Sequence, residues 1–135
     1  MKKEITTFVA SARSTVAVFQ TWEMGRTIGD CVRQAARRGE EDDLRRLTKL
    51  LRAESYVGSF ELNEDHTLEE LYVLLQNDSH PEGWVAALGA QESWRDTIGE
   101  GSACSLSMGD VLYIDAPGQP QRKFVVGMTG WIDLS

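Results

Sequence analysis

The sequence predicts a single α+β domain in which about four short helices pack on an antiparallel sheet of four to six strands. A length of 135 residues with 41% hydrophobic and 26% charged residues suffices to bury a core without disulfides or metals. The C-terminal third has the pattern of a β-hairpin, and four earlier segments carry residues that begin helices. Within this one domain, residues 1–66 are predicted to form a hairpin, two basic helices and a strand. Residues 67–135 are predicted to form a helical segment and a second hairpin.

Two runs near the N-terminus, Ile5–Ala12 and Thr15–Trp22, are rich in the β-branched and aromatic residues that strands favour. A short polar segment separates them, so we expect them to pair as a hairpin. The second run has apolar residues on both of its sides, as a central strand does. Its spacing leaves one alternative open, a helix that buries Val16, Phe19 and Trp22.

A first helix is predicted to begin at Thr27, because a hydroxyl followed three residues later by the acid Asp30 satisfies free backbone donors. Gly39 is the expected end of this helix. Its predicted buried stripe consists of Ile28, Val32, Ala35 and Ala36. Cys31 lies beside that stripe, which predicts a buried structural thiol.

A second helix is predicted from the acidic run 40–43 to Lys49 and Arg52, since acids at its start and bases at its end stabilise the helix dipole. Its predicted buried face is Leu44, Leu47, Leu50 and Leu51. The bases of both helices form a possible basic ridge, which comprises Arg33, Arg37, Arg38, Arg45, Arg46, Lys49 and Arg52. Such a ridge can bind the phosphates along the backbone of a nucleic acid. A solvated helix face is favoured, because no aromatic residue interrupts the ridge and the whole protein is acidic.

A strand is predicted at Ser55–Leu62, followed by a capping box in which Thr67 and Glu70 begin a short helix. The apolar side of that helix is Leu68, Leu71, Tyr72, Leu74 and Leu75.

Another helix is predicted to begin at Ser79, with Pro81 in its first turn and Glu82 reaching back to the cap. It is expected to run to Gly89, and residues 90–103 are expected to form a loop.

The C-terminal hairpin is predicted from strands Val111–Asp115 and Arg122–Val126, joined by a loop that contains Pro117, Gly118 and Pro120. A last extended segment begins at Trp131. We expect one core in which the helices cover this sheet, formed by Leu71, Leu75, Trp84, Val111, Tyr113, Phe124 and Trp131.

Charge is unevenly distributed along a chain whose net charge is −7. Residues 1–53 contain eleven bases and seven acids, whereas residues 54–110 contain twelve acids and one base, Arg95. Segments of opposite sign often indicate a charged partner. The alternative is self-complementation, in which the basic helices lie against the acidic segment.

No residue pattern indicates a metal, a cofactor or a catalytic site. His66 and His80 are the two histidines, and neither has the spacing to cysteine that zinc sites show. Cys31 and Cys104 are expected to be reduced thiols of a cytoplasmic protein. A pairing of Cys104 with a histidine stays open, because catalytic partners meet in space. No apolar run approaches the roughly 20 residues that cross a bilayer, so no membrane partner is expected.

A leucine-rich helix in Thr67–Trp84 leads into the turn Asp78-Ser-His-Pro81, Ser107-Met-Gly-Asp-Val111 opens a strand, and Gly130 precedes the aromatic Trp131. These motifs resemble the YodL-like small domain found in proteins of plasmids, phages and conjugative elements. The resemblance covers roughly half of the chain; residues 85–104 form a longer spacer than that pattern, and about 65 residues precede it. It implies a mobile-element accessory protein, and it transfers no catalytic residue.

The leading hypothesis is a non-enzymatic acidic binding protein of a phage or plasmid. It would block a host nucleic-acid-handling defence protein, as anti-restriction and anti-CRISPR proteins do, because dense carboxylates can occupy a basic surface that otherwise holds phosphates. The predicted partner-binding residues are Glu61, Glu64, Asp65, Glu69, Glu70, Asp78 and Glu82. Direct binding to nucleic acid is not expected.

Two other functions stay open. One is a regulatory or scaffolding module for mobile-element maintenance, with weak nucleic-acid contact through the basic ridge. The other is a small enzyme with an unrecognised site. If the acidic residues do not make the contact, Trp94 and Trp131 are the expected apolar anchors.

Overall fold

A five-stranded antiparallel sheet forms the centre of the protein. The computed structural model describes residues 8–20, 26–50, 56–89 and 105–135. Its strands are β1 (Val9–Ala10), β2 (Thr15–Phe19), β3 (Tyr56–Glu61), β4 (His66–Thr67), β5 (Val111–Asp115), β6 (Arg122–Val126) and β7 (Trp131–Asp133). The large sheet has the order β3-β2-β5-β6-β7, and β1 and β4 form a separate two-stranded ribbon.

Four α-helices accompany the sheet in the described residues, which confirms the predicted α+β class. They are α1 (Arg26–Arg38), α2 (Glu41–Thr48), α3 (Leu68–Leu74) and α4 (Trp84–Ala87). In the part of the chain that the structure describes, none of the helices has the length and apolar character needed to span a bilayer.

The sheet buries side chains on both of its faces. In β5, Leu112 and Ile114 pack in one cluster with residues of α3 and α4, whereas Val111 packs in a second cluster with residues of α1 and α2. This division follows from the two-residue period of a strand. The prediction of one core cluster is therefore wrong, because Val111 and Tyr113 lie across the sheet from the other five residues of that set.

The predicted N-terminal hairpin is also wrong. Strand β1 pairs with β4, with Val9 opposite Thr67. Strand β2 lies between β3 and β5, so it has the central place that its two apolar sides predict. Each of these pairings joins segments that are distant in sequence, which a local pattern does not reveal. The helical alternative is wrong for residues 15–19, and the ends of the two predicted runs lie outside the described residues.

The two basic helices match most of their predicted features. Val32, Ala35 and Ala36 are buried, and Gly39 ends α1 with a φ of 69° while the amide of Glu40 donates to the carbonyl of Ala35. Cys31 is exposed, so the predicted buried thiol is wrong. Cys31 lies at the edge of the buried stripe, four residues before Ala35, and its thiol is exposed to solvent.

The predicted face of α2 is correct for Leu44 and wrong for Leu50. Leu44 is buried, whereas Leu50 is 46% exposed because the helix ends at Thr48 and the chain turns away from the core. Leu51 and Arg52 lie outside the described residues.

The helix predicted from Ser79 begins later, at Trp84. The hydroxyl of Ser79 donates to the carbonyl of Val73 at 3.0 Å and caps no helix. The amide of Trp84 instead donates to Oδ1 of Asn77 at 3.0 Å, across a turn that contains Pro81. The residue before Trp84, Gly83, has a φ of 86°, a left-handed conformation that a glycine accommodates and that separates this turn from α4.

The predicted C-terminal hairpin is confirmed with its predicted bounds, β5 and β6. Strand β7 then pairs with β6 and completes the sheet.

Candidate functional site

The seven predicted contact residues are all exposed to solvent. Between residues 56 and 89 the sequence contains these seven acids and no Lys or Arg. Asp110, another acid of the same charged segment, is buried, and its Oδ2 accepts the amide of Ser107 at 2.9 Å. The structure thus separates a buried structural carboxylate from a set that a partner can reach.

Four of the seven acids lie together where β4 leads into α3, and we call Glu64, Asp65, Glu69 and Glu70 the acidic corner. His66 lies within it, because Nε2 is 3.9 Å from Oε1 of Glu64 and Nδ1 is 3.9 Å from Oε1 of Glu70. The histidine side chain is mostly buried, whereas both glutamates extend into solvent.

Local backbone bonding holds two acids of the corner in place. The capping box predicted for α3 is confirmed: the amide of Thr67 donates to Oε1 of Glu70 at 2.9 Å, and the amide of Glu70 donates to Oγ1 of Thr67 at 3.2 Å. Oδ1 of Asp65 accepts the amide of Ala12 at 2.8 Å and so ties the corner to the turn after β1. Glu64, whose side chain is 79% exposed, and Glu69 are therefore the acids best suited to contact a partner.

Of the other three predicted residues, Glu61 lines one cleft with Glu64, whereas Asp78 and Glu82 lie away from the acidic corner. Glu61 pairs with Thr15 at the end of β3 and, by strand alternation, lies on the opposite face from buried Phe60. Asp78 and Glu82 follow the C-terminal end of α3, a helix about 10 Å long. A continuous surface of all seven carboxylates is therefore not formed, because α3 separates Asp78 and Glu82 from the acidic corner.

A cleft of about 340 Å³ borders the acidic corner. It is lined by Phe60, Glu61, Leu62, Asn63, Glu64, His66, Leu74, Ala87 and Leu88. Its apolar residues come from the end of β3 and from the ends of α3 and α4. Its carboxylates belong to Glu61 and Glu64. Sequence reasoning missed His66 as part of this region, although its position between Glu64 and Glu70 was a signal.

The basic helices do not neutralise the acidic corner. Each arginine of the predicted ridge that forms an ion pair in the described residues does so with an acid close in sequence. The pairs are Arg33–Asp30, Arg38–Glu40, Arg45–Glu41, Arg45–Asp42 and Arg46–Asp43. Helices α1 and α2 also lie on the opposite face of the sheet from α3. Self-complementation is therefore wrong for the described part of the chain. The sequence signal for the local ion pairs was the placement of acids three or four residues from the arginines.

Trp131, one of the two predicted apolar anchors, is half-buried and packs edge-on against Tyr72, with ring centroids 6.5 Å apart. Trp94 and Cys104 lie outside the described residues. Within the described ranges, no group of three or more His, Cys, Asp or Glu side chains is arranged to hold a metal ion.

Comparison with protein-family models, curated proteins and solved structures finds no significant match to this chain. The resemblance to the YodL-like domain therefore stays a prediction.

Proposed function

We propose that this protein is a non-enzymatic binding protein of a phage or plasmid that uses its acidic corner to engage a basic surface of a host defence protein. One observation carries this proposal: the four carboxylates of the corner have no Lys or Arg ion-pair partner within the described residues, whereas the arginines of α1 and α2 pair close in sequence. The corner is therefore a concentration of negative charge that the fold leaves open to a partner.

The physical basis is competition with phosphate. A nucleic-acid-handling protein presents clustered Lys and Arg side chains, and carboxylates at a similar spacing are attracted to the same groups. A protein bound at such a surface excludes the nucleic acid and blocks the activity, as an anti-restriction or anti-CRISPR protein does. The resemblance of residues 67–84 to a domain of mobile elements supports this class of function, and the proposed location is the host cytoplasm.

The test uses charge reversals that spare the fold. Glu64→Lys with Glu69→Lys removes the two acids of the corner whose carboxylates accept no backbone hydrogen bond within the described residues, whereas Glu70 caps α3 and Asp65 holds the turn after β1. The matched control, Asp78→Lys with Glu82→Lys, makes the same change in net charge beyond the other end of α3. Each variant is measured against a panel of purified restriction and CRISPR effector complexes, by association kinetics at several salt concentrations and by inhibition of nucleic-acid cleavage.

We expect the wild-type protein to associate fast at low salt and more slowly as salt rises, because exposed charges are screened within about 10 Å at 0.1 M. The corner variant should lose this salt dependence and its inhibition, and the control should keep both. Binding that ignores salt and the corner reversal would refute the proposal. Retardation of plain duplex DNA by the protein would favour the mobile-element regulator instead.

A further inference from the structure

A second charged site lies on the opposite face of the sheet, between α2 and β6. Nζ of Lys123 donates to Oγ1 of Thr48 at 2.5 Å, and Thr48 is 1% exposed. The hydroxyl of Thr48 in turn donates to the carbonyl of Leu44 at 2.5 Å, so its position is set by the helix. The ammonium group of Lys123 is thereby fixed at the edge of the core, 5.5 Å from the ring centroid of Tyr113.

Two further bases come from the same side of α2. Arg45, Thr48 and Lys49 are spaced at i, i+3 and i+4, which places them along one face of the helix and beside Lys123. Burial lowers the pKa of Lys123, and the charges of Lys49 and Arg45 lower it further. Lys49 and Arg45 are thus close enough to Lys123 to repel its charge.

The acids around this site compensate the charge of Arg45 but not the charges of the two lysines. Arg45 has Glu41 and Asp42 at 3.5 and 3.6 Å, but within the described residues neither Lys49 nor Lys123 forms an ion pair. On β5, Oδ2 of Asp115 accepts from Gln121 at 3.1 Å. On β7, Asp133 pairs with Arg122, on the opposite face of the sheet from Lys123.

We propose that Lys123, Lys49 and Arg45 form a binding site for a phosphate group. A lysine ammonium has three donors, and Thr48 accepts one of those of Lys123, so two remain for an anion. Lys49 is exposed and Lys123 is half-buried, so a ligand can approach both ammonium groups from solvent. A bound dianion offsets the repulsion that Lys49 and Arg45 exert on Lys123. This site is independent of the acidic corner, because it lies on the other face of the sheet.

The experiment is a titration of isotopically labelled protein followed by NMR, with inorganic phosphate in one arm and a nucleoside monophosphate in the other. Sodium chloride keeps the ionic strength equal throughout. Saturable shifts are expected at residues 45–49 and at Lys123 in both arms. Tighter binding of the nucleotide would identify a phosphomonoester as the ligand, and equal binding would identify free phosphate.

Lys49→Gln is the main variant, because its exposed side chain can be replaced without disturbing the core, and it should weaken phosphate binding about tenfold. Lys123→Gln should do the same. Arg37→Gln on α1 removes the same charge from an exposed position and should leave the affinity within about twofold. In wild-type protein the pKa of Lys123, followed through its ε-carbon, should rise when phosphate is present. Absence of saturable shifts, or a loss of phosphate affinity in Arg37→Gln equal to that in Lys49→Gln, would overturn the proposal.

Discussion

Arg122 and Asp133 join the last two strands of the sheet, with Nη2 of the arginine donating to Oδ2 of the aspartate at 2.7 Å. The guanidinium also lies 4.7 Å from the ring centroid of Phe8, and its Nε donates to Oγ of Ser135 at 2.9 Å. The amide of Ser135 donates to the other oxygen of Asp133 at 2.9 Å. This network fastens the C-terminal residues and the segment before β1 to the same face of β6.

The network predicts how stability depends on pH. Burial alone would raise the pKa of Asp133, but hydrogen bonds from Ser135 and Arg122 outweigh it and hold the pKa below its usual value. Since the folded pKa is the lower one, this carboxylate stabilises the fold above the unfolded value of about 3.9, and the contribution is lost as pH falls through the folded pKa. Asp133→Asn should cost about 1–3 kcal/mol at neutral pH.

Urea unfolding across the acid range measures this effect. The difference between wild-type protein and Asp133→Asn should shrink as the pH falls below the folded pKa. Asp115→Asn is a suitable control, because Asp115 is exposed and bonds to Gln121 alone in the described residues. A difference that stays constant across the acid range would contradict the assigned role of Asp133.

The two residues predicted to cap helices, Thr67 and Ser79, should differ in their contribution to stability. Thr67→Ala removes the capping box of α3 and should lower the free energy of unfolding by about 0.5–2 kcal/mol. Ser79→Ala should cost less, because the hydroxyl of Ser79 does not cap α4 and makes one exposed hydrogen bond, to the carbonyl of Val73. Chemical denaturation of both variants tests the comparison, and a larger loss at Ser79 than at Thr67 would contradict it.

The buried side of α3 should account for much of the stability of this helix. Leu71→Ala and Leu75→Ala should each cost about 2–5 kcal/mol, because both leucines are fully buried between α3 and the sheet. Val73→Ala is a matched control on the same helix, where the side chain is 60% exposed and the cost should stay near 0.5 kcal/mol. Losses below about 1 kcal/mol at both leucines would place α3 outside the core.

The exposed thiol of Cys31 should react in the folded protein. In a Cys104→Ser background, a maleimide should label Cys31 fully without denaturant, and the circular dichroism spectrum should not change. The double variant that also carries Cys31→Ser is the control for nonspecific labelling. Labelling that requires denaturant would mean that α1 is rotated from its observed orientation.

Local sequence was sufficient for three features that neighbouring residues form, although the equally local cap predicted at Ser79 did not begin a helix. The C-terminal hairpin follows from turn formers between two β-branched runs, and the start of α3 follows from Thr67 and Glu70, which bond to each other across three residues. The end of α1 at Gly39 is of the same kind. The acidic segment and its exposed carboxylates were likewise predictable, because a run of acids without bases can rarely be buried.

Tertiary structure decided what depends on contacts between distant segments. Val111 and Leu112 are neighbours in a strand, so their side chains lie on different faces of the sheet. Both are buried only because the tertiary structure places a pair of helices on each face. The pairing of β1 with β4 and the approach of Lys123 to Thr48 also join residues far apart in the chain. The sequence by itself determined which residues carry the charge, and the tertiary structure determined which of those charges meet, because electrostatic interaction depends on distance in space.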